Sequence, residues 1–168
     1  MTYSLRRPFL GVPVVPVLAL LLCPAVACSS TDEAAGPAVP TPPAREAALC
    51  RALHKELPAT VDGRQRRATD PASDFTAAWG DPAISLRCGV PKPGLLRRNP
   101  GSDAAEIDGV AWLPERQPDG GIRCTTVQRE AWVEVTLPKE VVGDAGDMSA
   151  LTDLAGAVRR TIPEGIIS

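Results

Sequence analysis

The chain has 168 residues, 44% of them hydrophobic and 4% aromatic, with 18 basic and 20 acidic side chains and a formal net charge of −2. That slightly acidic balance excludes nucleic acid, or an anionic membrane surface, as the main electrostatic partner. One histidine and five cysteines leave little material for a metal centre, and the length suits one domain with a real core.

Residues 1–27 read as an export signal and not as part of a fold. Arg6 and Arg7 supply a positive start, and Leu10 to Ala27 is a mostly apolar run. Pro13, Pro16 and Pro24 break that run, which is also short for a transmembrane helix. It ends in Ala25-Val26-Ala27-Cys28-Ser29, small residues before a cysteine. This looks like a lipobox, with Cys28 as the lipidation site and acyl chains such as palmitate as the route to a membrane. One chain binds weakly, so a firm hold requires two or three. Cys23 suits the role less well because Leu22 precedes it. Ser4-Leu5-Arg6-Arg7-Pro8-Phe9-Leu10 also resembles a twin-arginine signal, which leaves the export route open. Residues 28–43 form a lipid-anchored linker in which Pro37, Pro40, Pro42 and Pro43 favour extended geometry, with a reach of roughly 45 Å.

Residues 44–168 are expected to form a single α+β domain. Leu49, Leu53 and Leu57 recur every four residues and predict a first helix from about Ala44 to Leu57, with Pro43 at its entrance and Pro58 as its stop. Val61 to Arg67 reads as a basic loop or short edge strand. Its arginines Arg64, Arg66 and Arg67 are a candidate anion site, or simply solvated charges paired with Asp62, Asp70 and Asp74. Phe75–Trp79 and Ile84–Cys88 form an expected hairpin around Gly80-Asp81-Pro82, with Ile84, Leu86 and Cys88 on one face. Leu95 to Asp103 is a polar loop. Ile107–Leu113, Ile122–Val127 and Trp132–Leu137 are further strands, the first two joined through Asp119-Gly120-Gly121. Leu151, Leu154, Ala155, Val158 and Ile162 follow the helical period and predict a last helix, capped by Asp147 or Ser149. Strands joined by short turns argue for an antiparallel sheet of about five strands, with the N-terminal and C-terminal helices packed on one face.

Three cysteines remain in the mature domain. The favoured disulfide joins Cys50 to Cys88, tying the first helix to a central strand and leaving Cys124 as a buried thiol; Cys88 with Cys124 is the rival, and three reduced cysteines the bland alternative. His54 has no partners for a triad, and the chain contains no G-x-S-x-G, C-x-x-C or H-x-x-x-H, so no catalytic residue, metal or cofactor is assigned. Asp103, Glu106 and Asp108, and Asp144 with Asp147, are the carboxylates a glycosidase-like pair would draw on, although solvated loop carboxylates explain them more simply. Trp112 and Trp132 sit on strands, and either could line a groove if it points away from the helices.

Cys50-Arg51-Ala52-Leu53 with Leu57-Pro58, Ala78-Trp79-Gly80-Asp81-Pro82, Leu86-Arg87-Cys88-Gly89-Val90 and Glu130 to Pro138 together resemble an actinobacterial family of exported, membrane-anchored proteins built on a domain of unknown function. The resemblance covers nearly all of the mature domain and implies residence in the cell envelope, without supplying an activity. The expected protein is therefore a cell-envelope lipoprotein on the extracytoplasmic side of the membrane. It would act as a non-enzymatic binding or assembly module for an envelope protein or glycan. A carboxylate-dependent hydrolase or transferase acting on cell-wall material is the alternative.

Overall fold

The computed structural model describes residues 36–165; the expected signal and Cys28 lie outside them. Helix α1 (Ala44–Glu56) starts behind Pro43 and buries Ala47, Cys50 and Leu53. It stops where Leu57 turns extended, since a residue before proline is pushed out of the α region. Four strands follow: β1 (Thr60–Val61), β2 (Arg64–Arg67), β3 (Thr76–Trp79) and β4 (Ile84–Cys88). After the short α2 (Gly94–Arg98) come β5 (Ala105–Ile107), β6 (Val110–Arg116), β7 (Ile122–Thr126) and β8 (Val133–Leu137). The short α3 (Lys139–Val142) and α4 (Ala150–Thr161) end the fold.

The sheet is antiparallel and mixed with helices, as expected, but it has eight strands where the sequence suggested about five. Its order is β1-β2-β3-β4-β8-β7-β6-β5: two four-stranded meanders joined along β4 and β8. The additional strands are short edge pieces. Val61 pairs with Arg64, and Ile107 with Val110, each across a two-residue Asp-Gly turn. Asp62 and Gly63 have φ of 51° and 69°, Asp108 and Gly109 46° and 73°. Such turns match the twist of a hairpin, and glycine at the second position removes the steric cost. Strands of two and three residues carry too little alternation to be recognised by period.

One face of the sheet, carrying Ile84, Leu86, Val133, Val135, Leu137, Cys124 and Trp112, packs in a single apolar cluster with α1 and α4. Helix α4 is buried on more than one stripe, through Ala150, Leu151, Leu154, Ala155, Ala157 and Val158. It also holds both sheet edges. The Asp153 carboxylate accepts the Asp62 N–H at 2.8 Å, and Arg159 lies 3.6 Å from Asp108. Those two helix positions are six residues apart, ~9 Å of axis. A flat eight-stranded sheet would separate its edges by ~34 Å. The sheet therefore curls around α4. Arg129, 5% exposed, completes the joint by donating to Ile162 O at 3.1 Å and to Gly109 O at 2.9 Å, at the electronegative end of α4.

The opposite face carries a row of alternating charge across four strands. Arg87 is 3.0 Å from Glu134, Glu134 is 3.8 Å from Arg123, and Arg123 is 3.4 Å from Glu115. The proline-bearing stretch 36–43, expected to be part of a free linker, packs on this side. Arg87 Nε donates to Ala38 O at 2.8 Å, and Pro40 is buried.

Cys50 and Cys88 form a disulfide with Cα atoms 5.5 Å apart, joining α1 to β4 over 38 residues of sequence. Replacing both cysteines with alanine is expected to lower unfolding free energy by about 4 kcal/mol in guanidinium titrations, the chain-entropy value for such a loop. A loss below ~1 kcal/mol would mean that packing alone fixes α1 on the sheet.

Candidate functional site

Pairing of β2 with β3 decides where the arginines point. Arg66 is in register with Trp79 on the helix side, and Arg67 with Ala78 on the other. The three arginines do not form one cluster: Arg66 and Arg67 border a common cavity, and Arg64 does not. Arg64 lies 3.6 Å from Asp62, and Arg67 donates to Gly80 O at 3.3 Å and sits 4.0 Å from Asp81. Arg66 has no carboxylate within salt-bridge distance among the described residues. Its guanidinium instead lies over the Trp79 ring at 5.9 Å and approaches His54, with Nη2 at 3.0 Å from Nε2. Trp79 is wholly buried and anchors the stack by donating its indole N–H to Pro58 O at 3.1 Å.

Beside this stack opens a cavity of about 600 Å³, bordered by His54, Arg66, Arg67, Thr69, Ser73, Asp74 and Thr76. The Thr69 and Thr76 hydroxyls are 3.2 Å apart. Burial, then the Arg66 charge, hold His54 below the ordinary histidine value of 6.5, while Asp74 and the Thr76 backbone pull the other way. Burial also lowers Arg66. A neutral imidazole accepting from a permanently charged guanidinium is the consistent protonation state.

A second concavity, about 520 Å³, lies on the face away from the main core. Trp132, Leu96, Pro100 and Val127 give it apolar walls, and Lys92, Asp103 and Gln128 a polar rim. A smaller hollow of about 250 Å³ continues from it past Trp132 and Lys92 to Pro42 and Pro91. The two tryptophans singled out in the sequence thus part company. Trp112 is wholly buried on the helix side, its indole N–H without a partner among the described residues, whereas Trp132 borders the groove.

Of the carboxylates, Asp103 borders that groove, Glu106 is exposed on β5, Asp108 pairs with Arg159, and Asp144 is exposed between α3 and α4. Asp147 accepts the Ser149 backbone N–H at 2.8 Å, which lowers its pKa, the wrong direction for a general acid. No three of these groups cluster among the described residues. Cys124 is a buried free thiol, donating toward Met148 Sδ at 3.6 Å, and burial pushes its pKa up to about 12. Among the described residues no cluster of His, Cys, Asp or Glu could hold a metal ion, and no helix is long and apolar enough to cross a membrane.

Nothing local in the sequence marks His54 or sets Arg66 apart from Arg64 and Arg67. No local signal joins His54 to Arg66, because they meet only when α1 covers the β2–β3 hairpin. Arg129 was equally silent: nothing in its neighbours announces a buried guanidinium.

By fold and site this is an antiparallel α+β domain curled around one helix, with a charged cavity beside β2 and β3 and a separate groove bordered by Trp132. The chain belongs to the family described as a protein of unknown function (DUF3515), whose profile matches residues 10–167. Comparisons with curated proteins and with solved structures give no match.

The sole histidine permits a direct test of the Arg66 stack. In an NMR titration His54 should protonate below 6.5, with Arg66→Gln raising the midpoint and Asp74→Asn lowering it. Because the folded value is depressed, the unfolded chain binds more protons in the window just below 6.5. This group's contribution to stability is therefore present above 6.5 and lost as pH falls through the folded midpoint. A midpoint at or above 6.5 would contradict the stack.

Proposed function

We propose that the protein is an exported lipoprotein, anchored through Cys28 at the outer face of the cytoplasmic membrane. There it works as a non-enzymatic module that binds an extended peptide segment of an envelope protein along Trp132. The observation that carries the peptide preference is the chain's own behaviour at that tryptophan. Thr41, Pro42 and Pro43 line the hollow on one side of Trp132, and the wider apolar groove continues on the other. An extended proline-bearing strand is thus the kind of ligand this surface already accommodates, and aromatic-lined grooves favour such segments because little chain entropy is lost on docking. The address draws on the lipobox-like Ala25-Val26-Ala27-Cys28 and on the Cys50–Cys88 bond, which suits an oxidising compartment. The carboxylate-dependent hydrolase or transferase draws less support, since Asp103 borders the groove without a second carboxylate described beside it.

Two measurements test the proposal. An alkyne-palmitate label should mark the wild-type protein and be lost in Cys28→Ala, which should also leave the membrane fraction; retention of label by that variant would remove the anchor. A photo-crosslinking residue at Leu96, at the groove wall, should capture an envelope protein through an extended apolar or proline-bearing stretch, while the same probe at Arg51, on the exposed side of α1, should not. Equal capture from both positions, or crosslinks confined to glycan, would overturn the peptide reading.

A further inference from the structure

Arg66 presents an unusual imbalance. Its guanidinium carries five N–H donors, and the one side-chain hydrogen bond recorded for it among the described residues goes to His54. Half-buried arginines ordinarily meet a carboxylate, and the neighbours on the same strand do so: Arg64 lies by Asp62 and Arg67 by Asp81. Arg66 is instead fixed from both sides, by Trp79 beneath and His54 beside it, so that its remaining donors are held in place next to the cavity. A guanidinium immobilised by stacking loses little entropy on binding a planar oxyanion with two parallel hydrogen bonds. The other walls supply hydroxyls, from Thr69, Ser73 and Thr76, which can donate to an oxyanion or accept from a ligand hydroxyl.

Asp74 is the discordant member. Its carboxylate borders the same cavity and acts on His54 electrostatically. It repels a bare anion, but accepts from a hydroxyl or ammonium group next to the acid. At about 600 Å³ the space exceeds what an inorganic ion requires and falls within the range of small-molecule sites.

We infer that the His54–Arg66–Asp74 cavity is a binding site for a small ligand bearing a carboxylate or phosphate with a hydrogen-bond donor beside it, the oxyanion seated on Arg66 and the donor on Asp74. The site involves none of the residues lining the Trp132 groove, so it stands apart from the peptide-binding proposal.

The test uses the full-length protein in detergent and follows the single His54 ring signal and the Trp79 indole N–H by NMR. Three probes are titrated at constant ionic strength: inorganic phosphate, citrate, and chloride as the screening control. Phosphate or citrate should produce saturable shifts at both reporters, and chloride none. Stronger binding of phosphate identifies the acid group as a phosphate, stronger binding of citrate as a carboxylate. Arg66→Gln should abolish the shifts. Arg66→Lys keeps the charge but not the two-pronged geometry, and should weaken binding at least tenfold. Asp74→Asn should tighten phosphate binding severalfold by removing repulsion. Arg64→Gln, outside the cavity, should leave it within twofold, and Arg67→Gln, at its border but turned to Gly80 O and Asp81, should weaken it less than Arg66→Gln. Should Arg66→Gln fail to fold, judged by loss of the cooperative thermal transition, the Lys variant decides. The inference is overturned if chloride reproduces the shifts, if Arg66→Lys binds as wild type, or if Arg67→Gln weakens binding as much as Arg66→Gln.

Discussion

The architecture depends on α4 gripping both ends of the sheet at once. Asp153 takes a backbone N–H from the β1–β2 turn and Arg159 faces the β5–β6 turn, so strands at opposite ends of the hydrogen-bonding order are drawn to one helix. This bends the sheet, and the bend encloses α4 on several sides. That is why Ala150, Ala155 and Ala157 stand at buried positions: small side chains let the strands approach. Short edge strands limit the unpaired backbone that an edge would otherwise offer to other chains. Arg129 reinforces the same joint, because a buried cation without its two carbonyl partners would be costly.

The second constraint is the seam between β4 and β8. Among the described residues it is the pairing that links the two meanders, and its partners, such as Leu86 and Val135, are far apart in sequence. Closing so long a loop delays the reward for forming it. The Cys50–Cys88 bond acts on that same strand from the other side, holding α1 against β4 while β8 is added. Across the seam the polar face is matched too: Arg87 meets Glu134 in register, and Arg123 and Glu115 extend the alternation over the C-terminal meander.

Much of this was legible in the residues. The two long helices, five of the strands and the Asp119-Gly120 turn follow from period and turn chemistry, and the Cys50–Cys88 pair was the favoured of the possible pairings; the side-chain cap expected of Asp147 or Ser149 on α4 does not form. The shortest strands were missed because a two-residue or three-residue strand has no period to read, yet Asp62-Gly63 and Asp108-Gly109 carried a turn signal that would have found them. The stack of Arg66 between Trp79 and His54 lay beyond reach for another reason: it requires a helix and two strands to meet, and no spacing along one of them encodes that meeting. Trp112 and Trp132 were separated only by the parity of the strands they belong to or adjoin. A shift of one residue in register would have exchanged their faces.

The docked stretch 36–43 alters the mechanics of any anchor upstream. With Ala38 held by Arg87 and Pro40 buried, the eight residue steps from Cys28 to Gly36 can reach at most ~29 Å by chain length alone, well short of the roughly 45 Å expected of the whole proline-bearing stretch. On the proposed anchorage the domain is less a float than a swivel. Such an anchorage would keep it in a thin layer over the bilayer, where the effective concentration of membrane-bound partners is high.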